Sequence, residues 1–208
     1  MPPSPKFTRQ RLSTIALELV DARGLGALTM RSLAQALGTG PMTLYNYVQS
    51  RDELDALVVE GVMAGARWPA TTDVWREDAR AMATATWDAI RAHPNALPLI
   101  LARRSLSPSM LEPAEALLAA LAAGGRSGPD LLAAFRAVHG YIFGFALIRG
   151  AETAGGADAS AERVQALPEG RFPRLVSVAR EAARLTIDAE FAAGLEVVLA
   201  GLGDGPQP

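Results

Sequence analysis

Residues 28–51 read LTMRSLAQALGTGPMTLYNYVQSR, and this stretch predicts two short helices joined by a tight turn. Apolar side chains recur at helical spacing in its first part, where Thr29 is placed to cap the helix and Gly38 to end it. Pro41 opens the second helix, because proline at the first helical position loses no hydrogen bond that the helix needs. The pattern is typical of a helix-turn-helix, whose second helix reads DNA.

The second of these helices has an inner and an outer face. Leu44 and Val48 lie four residues apart and are predicted to turn into the core. The outward residues carry no carboxylate, and several carry groups able to touch base edges or phosphates. Ser50 and Glu53 then form the pattern of a capping box, so a third helix is expected to begin directly afterwards.

Composition limits the class of protein. The chain has 208 residues, half of them apolar, which favours a small N-terminal unit and a larger remainder. It has no cysteine, so disulfides, thiolate metal sites and a thiol nucleophile are excluded. Its N-terminus, MPPSPKFTRQR, lacks the apolar middle of a signal peptide, and apolar runs such as residues 114–123 are interrupted or too short for a membrane span. The sequence predicts a cytoplasmic chain without membrane spans.

Charge is divided unevenly along the chain. Residues 1–51 hold six basic and two acidic side chains, a net charge of +4, whereas the remainder holds 14 basic and 20 acidic side chains, a net charge of −6. A basic head on an acidic body suits a head that meets a polyanion, although chance variation also explains counts of this size.

Helical periodicity continues to the end of the chain, and alternating strand patterns are absent. The predicted fold is all-α, with about nine or ten helices arranged as a head, residues 1–66, and a body, residues 67–208. Residues 153–169 are Ala/Gly-rich and are predicted to form a mobile loop. The other main helices are expected at residues 8–23, 51–66, 72–93, 109–123, 128–152, 173–185 and 187–202.

With this order of elements, the chain resembles the tetracycline-repressor (TetR) family of one-component regulators. The stretch LTMRSLAQALGTGPMTLYNYVQSRDEL carries the family's pattern of Leu-Thr, Leu-Ala, Leu-Gly and Thr-Leu-Tyr, followed by a basic-acidic start to the next helix. In the body, FRAVHGYIFGFALIRGAE and FPRL are similar to the family's C-terminal domain. The resemblance implies a homodimer whose heads sit in successive major grooves of a palindromic operator and whose body binds a small molecule.

The resemblance and the helical phase assign DNA contacts within the head. Arginine pairs with guanine, asparagine with adenine, and apolar groups meet the thymine methyl. Hydroxyl groups and a further arginine suit phosphates, which fix the register. For Tyr45 an alternative stays open, in which its ring packs inside the head. The expected base contacts are Arg31, Pro41, Met42, Thr43 and Asn46, and the expected phosphate contacts are Thr29, Thr39, Tyr45, Tyr47 and Arg51, with Thr8 or Arg9.

Candidate effector-binding residues come from the helices that surround a cavity in the family. Apolar walls with a few polar groups suit a small-molecule site, but they equally suit a plain core. An ungapped comparison puts Ile100 where tetracycline repressors carry a metal-coordinating histidine, so the resemblance favours a largely apolar effector over a magnesium–tetracycline chelate. No metal or other cofactor is expected. The candidates are Met82, Trp87, Ile100, Arg103, Met110, Phe135, Val138 and His139.

Dimerisation is expected from the apolar helices near residues 130–152 and 187–202. The first shows apolar residues on several sides, with Gly140 and Gly144 four residues apart, so two helices can approach closely. Two such helices from each subunit can form a four-helix interface, burying apolar faces that a monomer would expose. The last helix offers Phe191, Leu195, Val198, Leu199 and Leu202.

The leading hypothesis is therefore a ligand-responsive repressor and not an enzyme. No grouping of residues marks a nucleophile or a phosphate-binding loop. Two alternatives stay open: a regulator whose body answers to a protein partner, and a helical carrier or enzyme with an incidental helix-turn-helix.

Overall fold

The computed structural model describes residues 7–102, 108–155 and 162–203, and within them it shows helices and turns without a strand. These residues divide into two compact units. One is assigned Met1–Pro69 together with Ala85–Ala116, and the other Ala70–Thr84 together with Leu117–Pro208. The all-α prediction is confirmed.

Ten α-helices have defined bounds in the described part of the chain, and short 3-10 turns at Leu25–Ala27 and Pro94–Ala96 join some of them. In chain order the helices are α1 (Arg9–Arg23), α2 (Met30–Ala36), α3 (Pro41–Leu44), α4 (Arg51–Gly65), α5 (Trp75–Ala92), α6 (Leu97–Ala102), α7 (Pro108–Ala123), α8 (Gly128–Gly155), α9 (Pro173–Ala182) and α10 (Ile187–Leu202).

In the first unit, α1 and α4 cross closely. Their facing side chains, such as Leu12 and Leu57, are buried. At the crossing, a Cβ added to Gly61 would lie 2.9 Å from the Ser13 carbonyl oxygen, so glycine is what lets the two backbones approach. The Arg9 guanidinium donates two hydrogen bonds of 2.7 Å to the Glu60 carboxylate, joining the start of α1 to α4.

Replacing Gly61 with alanine is expected to lower the free energy of unfolding by about 1–3 kcal/mol, because the new methyl group forces the α1 backbone away. Gly65→Ala in the same helix is the matched control, since an added Cβ there meets nothing within 4 Å. That control should be neutral or slightly stabilising, as alanine favours helix more than glycine does. Urea denaturation of both variants measures the difference, and equal stabilities would contradict the close crossing.

In the second unit, α8 packs on α10 through an aromatic cluster. The rings of Tyr141 and Phe145 lie 5.3 Å and 5.5 Å from the Phe191 ring, and the Tyr141 hydroxyl donates to the Phe191 carbonyl over 2.7 Å. Phe191, Leu195 and Leu199 are thereby buried within one chain. Their predicted place in a subunit interface is therefore wrong, because a single chain already buries them.

Other sequence predictions also need correction. Helix α5 starts at Trp75 and not near residue 72, since Asp73 has a φ of 66° that a helix excludes. The Thr72 amide and hydroxyl instead donate to the Asp78 carboxylate at 2.7 Å and 2.9 Å. Helix α9 ends at Ala182, and the stretch predicted to be a loop is helical at 153–155 and 162–165; residues 156–161 lie outside the described residues.

Length and composition alone would allow Gly128–Gly150 of α8 to cross a membrane. Its sequence is interrupted by Asp130, Arg136 and Arg149, in line with the prediction that the apolar runs are interrupted or too short. Length and composition are weak evidence for a membrane span, because the core helices of soluble proteins also have them.

Candidate nucleic-acid interface

The helix-turn-helix is held by local hydrogen bonds. Thr29 Oγ1 accepts from the Ser32 amide at 3.0 Å, and Ser32 Oγ accepts from the Thr29 amide at 2.9 Å, so α2 begins with a reciprocal cap. Gly38 ends the helix with a φ of 66°, and Gly40 leads into Pro41 at the first position of α3. The predicted caps of this stretch are confirmed, although α3 itself is a single turn.

The core side of α3 is as expected, because Leu44 and Val48 are buried. On the other side, Met42 is 80% exposed and Tyr45 is 48% exposed, so the Tyr45 ring does not pack inside the head. Of the remaining predicted base contacts, Arg31, Pro41 and Asn46 are exposed and Thr43 is half-buried.

The predicted phosphate contacts lie in more varied surroundings. Thr29 is exposed but serves as the cap of α2, and Thr39 is half-buried. Tyr47 is half-buried, with its ring edge-on to Phe7 at 5.8 Å. The Arg51 guanidinium donates to the Leu28 carbonyl at 2.6 Å and pairs with Asp55 at 2.8 Å, while half of the Arg51 side chain stays in solvent. Arg51 therefore ties α4 to the start of the helix-turn-helix.

A turn after α5 holds the other end of α1, and the sequence analysis did not find it. Asn95 Nδ2 donates to the carbonyls of Val20 and Asp21, each at 3.2 Å, and His93 Nδ1 lies 2.7 Å from the Asp21 carboxylate. The Val20 carbonyl also accepts from the Gly24 amide at 2.7 Å, so Asn95 adds a second donor to this carbonyl and a donor to the neighbouring Asp21 carbonyl near the end of α1. The partners are more than 70 residues apart, and local pattern does not reveal such a contact.

The candidate effector residues are divided between the two units. Met82, Phe135, Val138 and His139 belong to the second unit, whereas Trp87 and Ile100 belong to the first. All are buried except Phe135 and His139, which are half-buried. Arg103 and the side chain of Met110 lie outside the described residues.

His139 lies within an aromatic row on α8. Its ring centroid is 4.1 Å from that of Phe135 and 5.8 Å from that of Phe143, a residue the sequence analysis did not single out. His139 Nδ1 is buried, and its contact with the Phe135 carbonyl one turn earlier falls short of hydrogen-bond geometry. Burial lowers the pKa of the imidazole, with the Phe135 carbonyl acting more weakly in the opposite direction. The row therefore combines three aromatic side chains with one buried ring nitrogen that has no hydrogen-bond partner among the described residues.

The stability of the protein is expected to fall as pH decreases below about 6.5, the ordinary histidine pKa. Because the pKa of His139 is lowered in the folded chain, the unfolded chain binds more protons in this range, and stability rises with pH. His139→Phe should flatten this dependence. Phe143→Leu alters the same cluster without removing a titratable group and should retain it. Urea denaturation at several pH values tests the difference, and equal slopes would contradict it.

Comparisons with known proteins agree with this arrangement. Residues 14–56 match the model of the bacterial regulatory proteins of the tetR family, and residues 68–204 match that of the tetracyclin repressor-like C-terminal domain. The HTH-type transcriptional repressor DrrR1 of Streptomyces coeruleorubidus is 32% identical over 213 residues, covering 96% of this chain and 78% of DrrR1.

Solved structures of ActR, a protein of Streptomyces coelicolor, share the fold over nearly the whole chain. The complex of ActR with (S)-DNPA has a TM-score of 0.80 and 31% identity, covering 96% of this chain and 98% of that chain. The complex with actinorhodin has a TM-score of 0.78 and 31% identity, covering 94% of this chain and 96% of that chain.

Proposed function

This chain belongs to the tetR family of bacterial regulatory proteins, and we propose that it represses transcription until a small, largely apolar effector releases it from a palindromic operator. It is a ligand-responsive, DNA-binding transcriptional regulator. Regulators of this family bind DNA operators and small-molecule effectors, typically as dimers. We assign it to the cytoplasm, where its DNA target lies.

The surface of α3 carries the proposal for DNA binding. Residues 22–51 contain no carboxylate, so the segment that presents Met42 and Asn46 to solvent has nothing acidic to repel phosphates. Arg31 and Asn46 would read guanine and adenine, and Pro41, Met42 and the Thr43 methyl would meet thymine. Tyr45, Tyr47, Thr29, Thr39 and Arg51 would set the register on phosphates.

A homodimer through α8 and α10 is supported by apolar surface that one chain leaves uncovered. Of the most apolar 18-residue segment of α8, only 22% is buried within the chain. Ile148 is 61% exposed and Val197 of α10 is 73% exposed, with Leu132, Leu147 and Ile187 also exposed. Soluble monomers rarely leave so much apolar surface in water, so a second copy is the expected cover. Two heads related by a two-fold axis require a palindromic operator.

The aromatic row of Phe135, His139 and Phe143 supports the proposed effector chemistry. Aromatic rings stack on planar apolar ligands, and the buried His139 nitrogen offers one hydrogen bond. The relative ActR has been solved with actinorhodin, a precedent for a ligand in a protein of this fold. An effector shifts the protein off DNA only by its difference in affinity for the two states, so operator DNA should equally weaken effector binding.

The direct test selects duplexes from a random DNA pool with the full-length protein. We expect a palindrome bound by two chains, with an affinity that falls steeply as salt rises. Arg31→Ala and Asn46→Ala should weaken binding and relax base preference at single positions. A carrier or enzyme with an incidental helix-turn-helix would bind no duplex and would keep its activity in both variants.

The effector is tested separately, by thermal-shift screening of small molecules followed by anisotropy with the selected operator. A compound that binds the folded state must raise the Tm, and the proposed effector must also release the DNA. DNA binding that no small molecule relieves, but a protein does, would contradict the small-molecule proposal and leave the DNA-binding proposal intact.

A further inference from the structure

A cavity of about 240 Å³, open to solvent on one side, lies between the last turn of α4 and the second half of α5, entirely within the first unit. Apart from Val62 of α4, its apolar wall consists of small residues, with Ala85, Ala89 and Ala92 from α5 and Gly65 and Ala66 from the end of α4. Small side chains usually let two helices close together, yet here a space remains. None of these residues was a candidate in the sequence analysis.

Three charged or titratable side chains also line this cavity, namely Arg67, Asp88 and His93. Two of them are paired, because Asp88 lies 2.8 Å from Arg91 and His93 lies 2.7 Å from Asp21. Arg67 is exposed and forms no ion pair among the residues that the structure describes. The cavity therefore combines an apolar wall with one arginine that forms no ion pair in the described part of the chain, beside an Asp88 carboxylate that is paired with Arg91.

We propose that this cavity is a second small-molecule site, which binds a single-ring carboxylic acid with its ring against the α5 alanines and its carboxylate on Arg67. A guanidinium pairs a carboxylate through two parallel hydrogen bonds, which gives this residue a preference for acids over neutral analogues. The volume decides the size of the ligand, since sites for drug-sized molecules span roughly 300–1,000 Å³. A multi-ring effector of the body is too large for it.

A ligand in this cavity would lie next to the contacts that hold α1. His93 forms part of the wall, and the same side chain pairs with Asp21 at the end of α1, next to the Asn95 hydrogen bonds. A bound acid therefore lies against α4 and against the turn after α5, two elements that contact α1 within this unit.

Benzoate is the probe for the test, with benzamide as its neutral analogue, and the full-length protein is titrated by calorimetry. We expect one benzoate per chain and at least about tenfold weaker binding of benzamide, because a charge-assisted hydrogen bond is lost. The Arg67→Gln variant should bind benzoate more weakly than the wild type by a similar factor. Arg174→Gln, which changes an exposed arginine of α9, should not.

The second part of the test fills the cavity with larger side chains. Ala89→Leu should abolish benzoate binding, and Ala85→Leu, at a less buried position, repeats the test should the first variant fail to fold. Equal affinities for benzoate and benzamide, unchanged binding in Arg67→Gln, or binding that survives the leucine variants but is lost in His139→Phe would each overturn the proposal. The last outcome would place the acid in the body instead.

Discussion

Met42→Asp is expected to weaken binding to the selected operator by roughly a hundredfold, or about 3 kcal/mol. Met42 is 80% exposed near the start of α3, and the surrounding residues 22–51 contain no carboxylate. In the proposed complex the new charge would enter a groove lined by phosphates, where it would be repelled and stripped of water. Removing an apolar contact alone would cost far less.

Met42→Gln separates the two effects, because it keeps a similar length without the charge and should lose only a small part of the affinity. Both variants change an exposed side chain, so their stabilities should stay within about 0.5 kcal/mol of the wild type. Fluorescence anisotropy with the selected duplex measures affinity, and thermal denaturation checks the fold. An aspartate variant that binds as tightly as the wild type would show that this surface does not enter the groove.

Arg126→Ala is expected to lower the free energy of unfolding by about 3 kcal/mol and the Tm by roughly 10 °C. Arg126 is only 5% exposed, and its guanidinium stacks 4.2 Å from the centre of the Trp75 ring. It donates to the carbonyls of Leu202 and Gly203 at the end of α10 and to that of Leu121 near the end of α7. Its loss removes the hydrogen bonds from Arg126 to the part-buried Leu202 and Gly203 carbonyls and opens a cavity beside Trp75, whereas the Leu121 carbonyl keeps its bond from the Gly124 amide.

Two further variants identify the cause. Arg126→Lys keeps the charge, but its ammonium group lacks the planar set of N–H donors with which the guanidinium contacts three carbonyls. We therefore expect an intermediate loss of stability. Arg174→Ala, at an exposed position of α9, should leave stability within about 0.5 kcal/mol of the wild type. Denaturant titration compares the three variants. An alanine variant as stable as the wild type would show that the stacked arginine is not needed to join the two helix ends.

Local sequence predicted the elements of the head closely. Thr29, Gly38 and Pro41 each act within about three residues of themselves, and the structure places every one where its local chemistry indicated. The same holds for α10, predicted at residues 187–202 and found at Ile187–Leu202, since Thr186 caps it and Gly203 ends it with a positive φ. Asp73 escaped prediction because a positive φ is uncommon for residues other than glycine, and here it accompanies hydrogen bonds from Thr72 to Asp78.

The candidate sites were predictable only in part. The exposed surface of α3 follows from helical phase, so Met42 and Asn46 were found from the sequence. The hydrogen bonds of Asn95 and the cavity beside Arg67 were not, because their members come from α1, α4 and the end of α5. A lone asparagine and a row of alanines form no sequence motif that would indicate a binding site or a long-range contact.

By itself, the sequence determined the all-α fold, the helix-turn-helix and its caps, and the excess of basic side chains in residues 1–51, because each depends on residue type and on neighbours a few positions away. Only the tertiary structure decided which face of α10 is buried. Its apolar residues lie on several sides, and the choice of Phe191, Leu195 and Leu199 over Val197 depends on how Tyr141 fits beside Gly194, where an added Cβ would meet the tyrosine ring. The periodicity of a sequence does not distinguish two helix faces of similar apolar composition. Only packing against side chains from distant parts of the chain determines which of the two faces is buried.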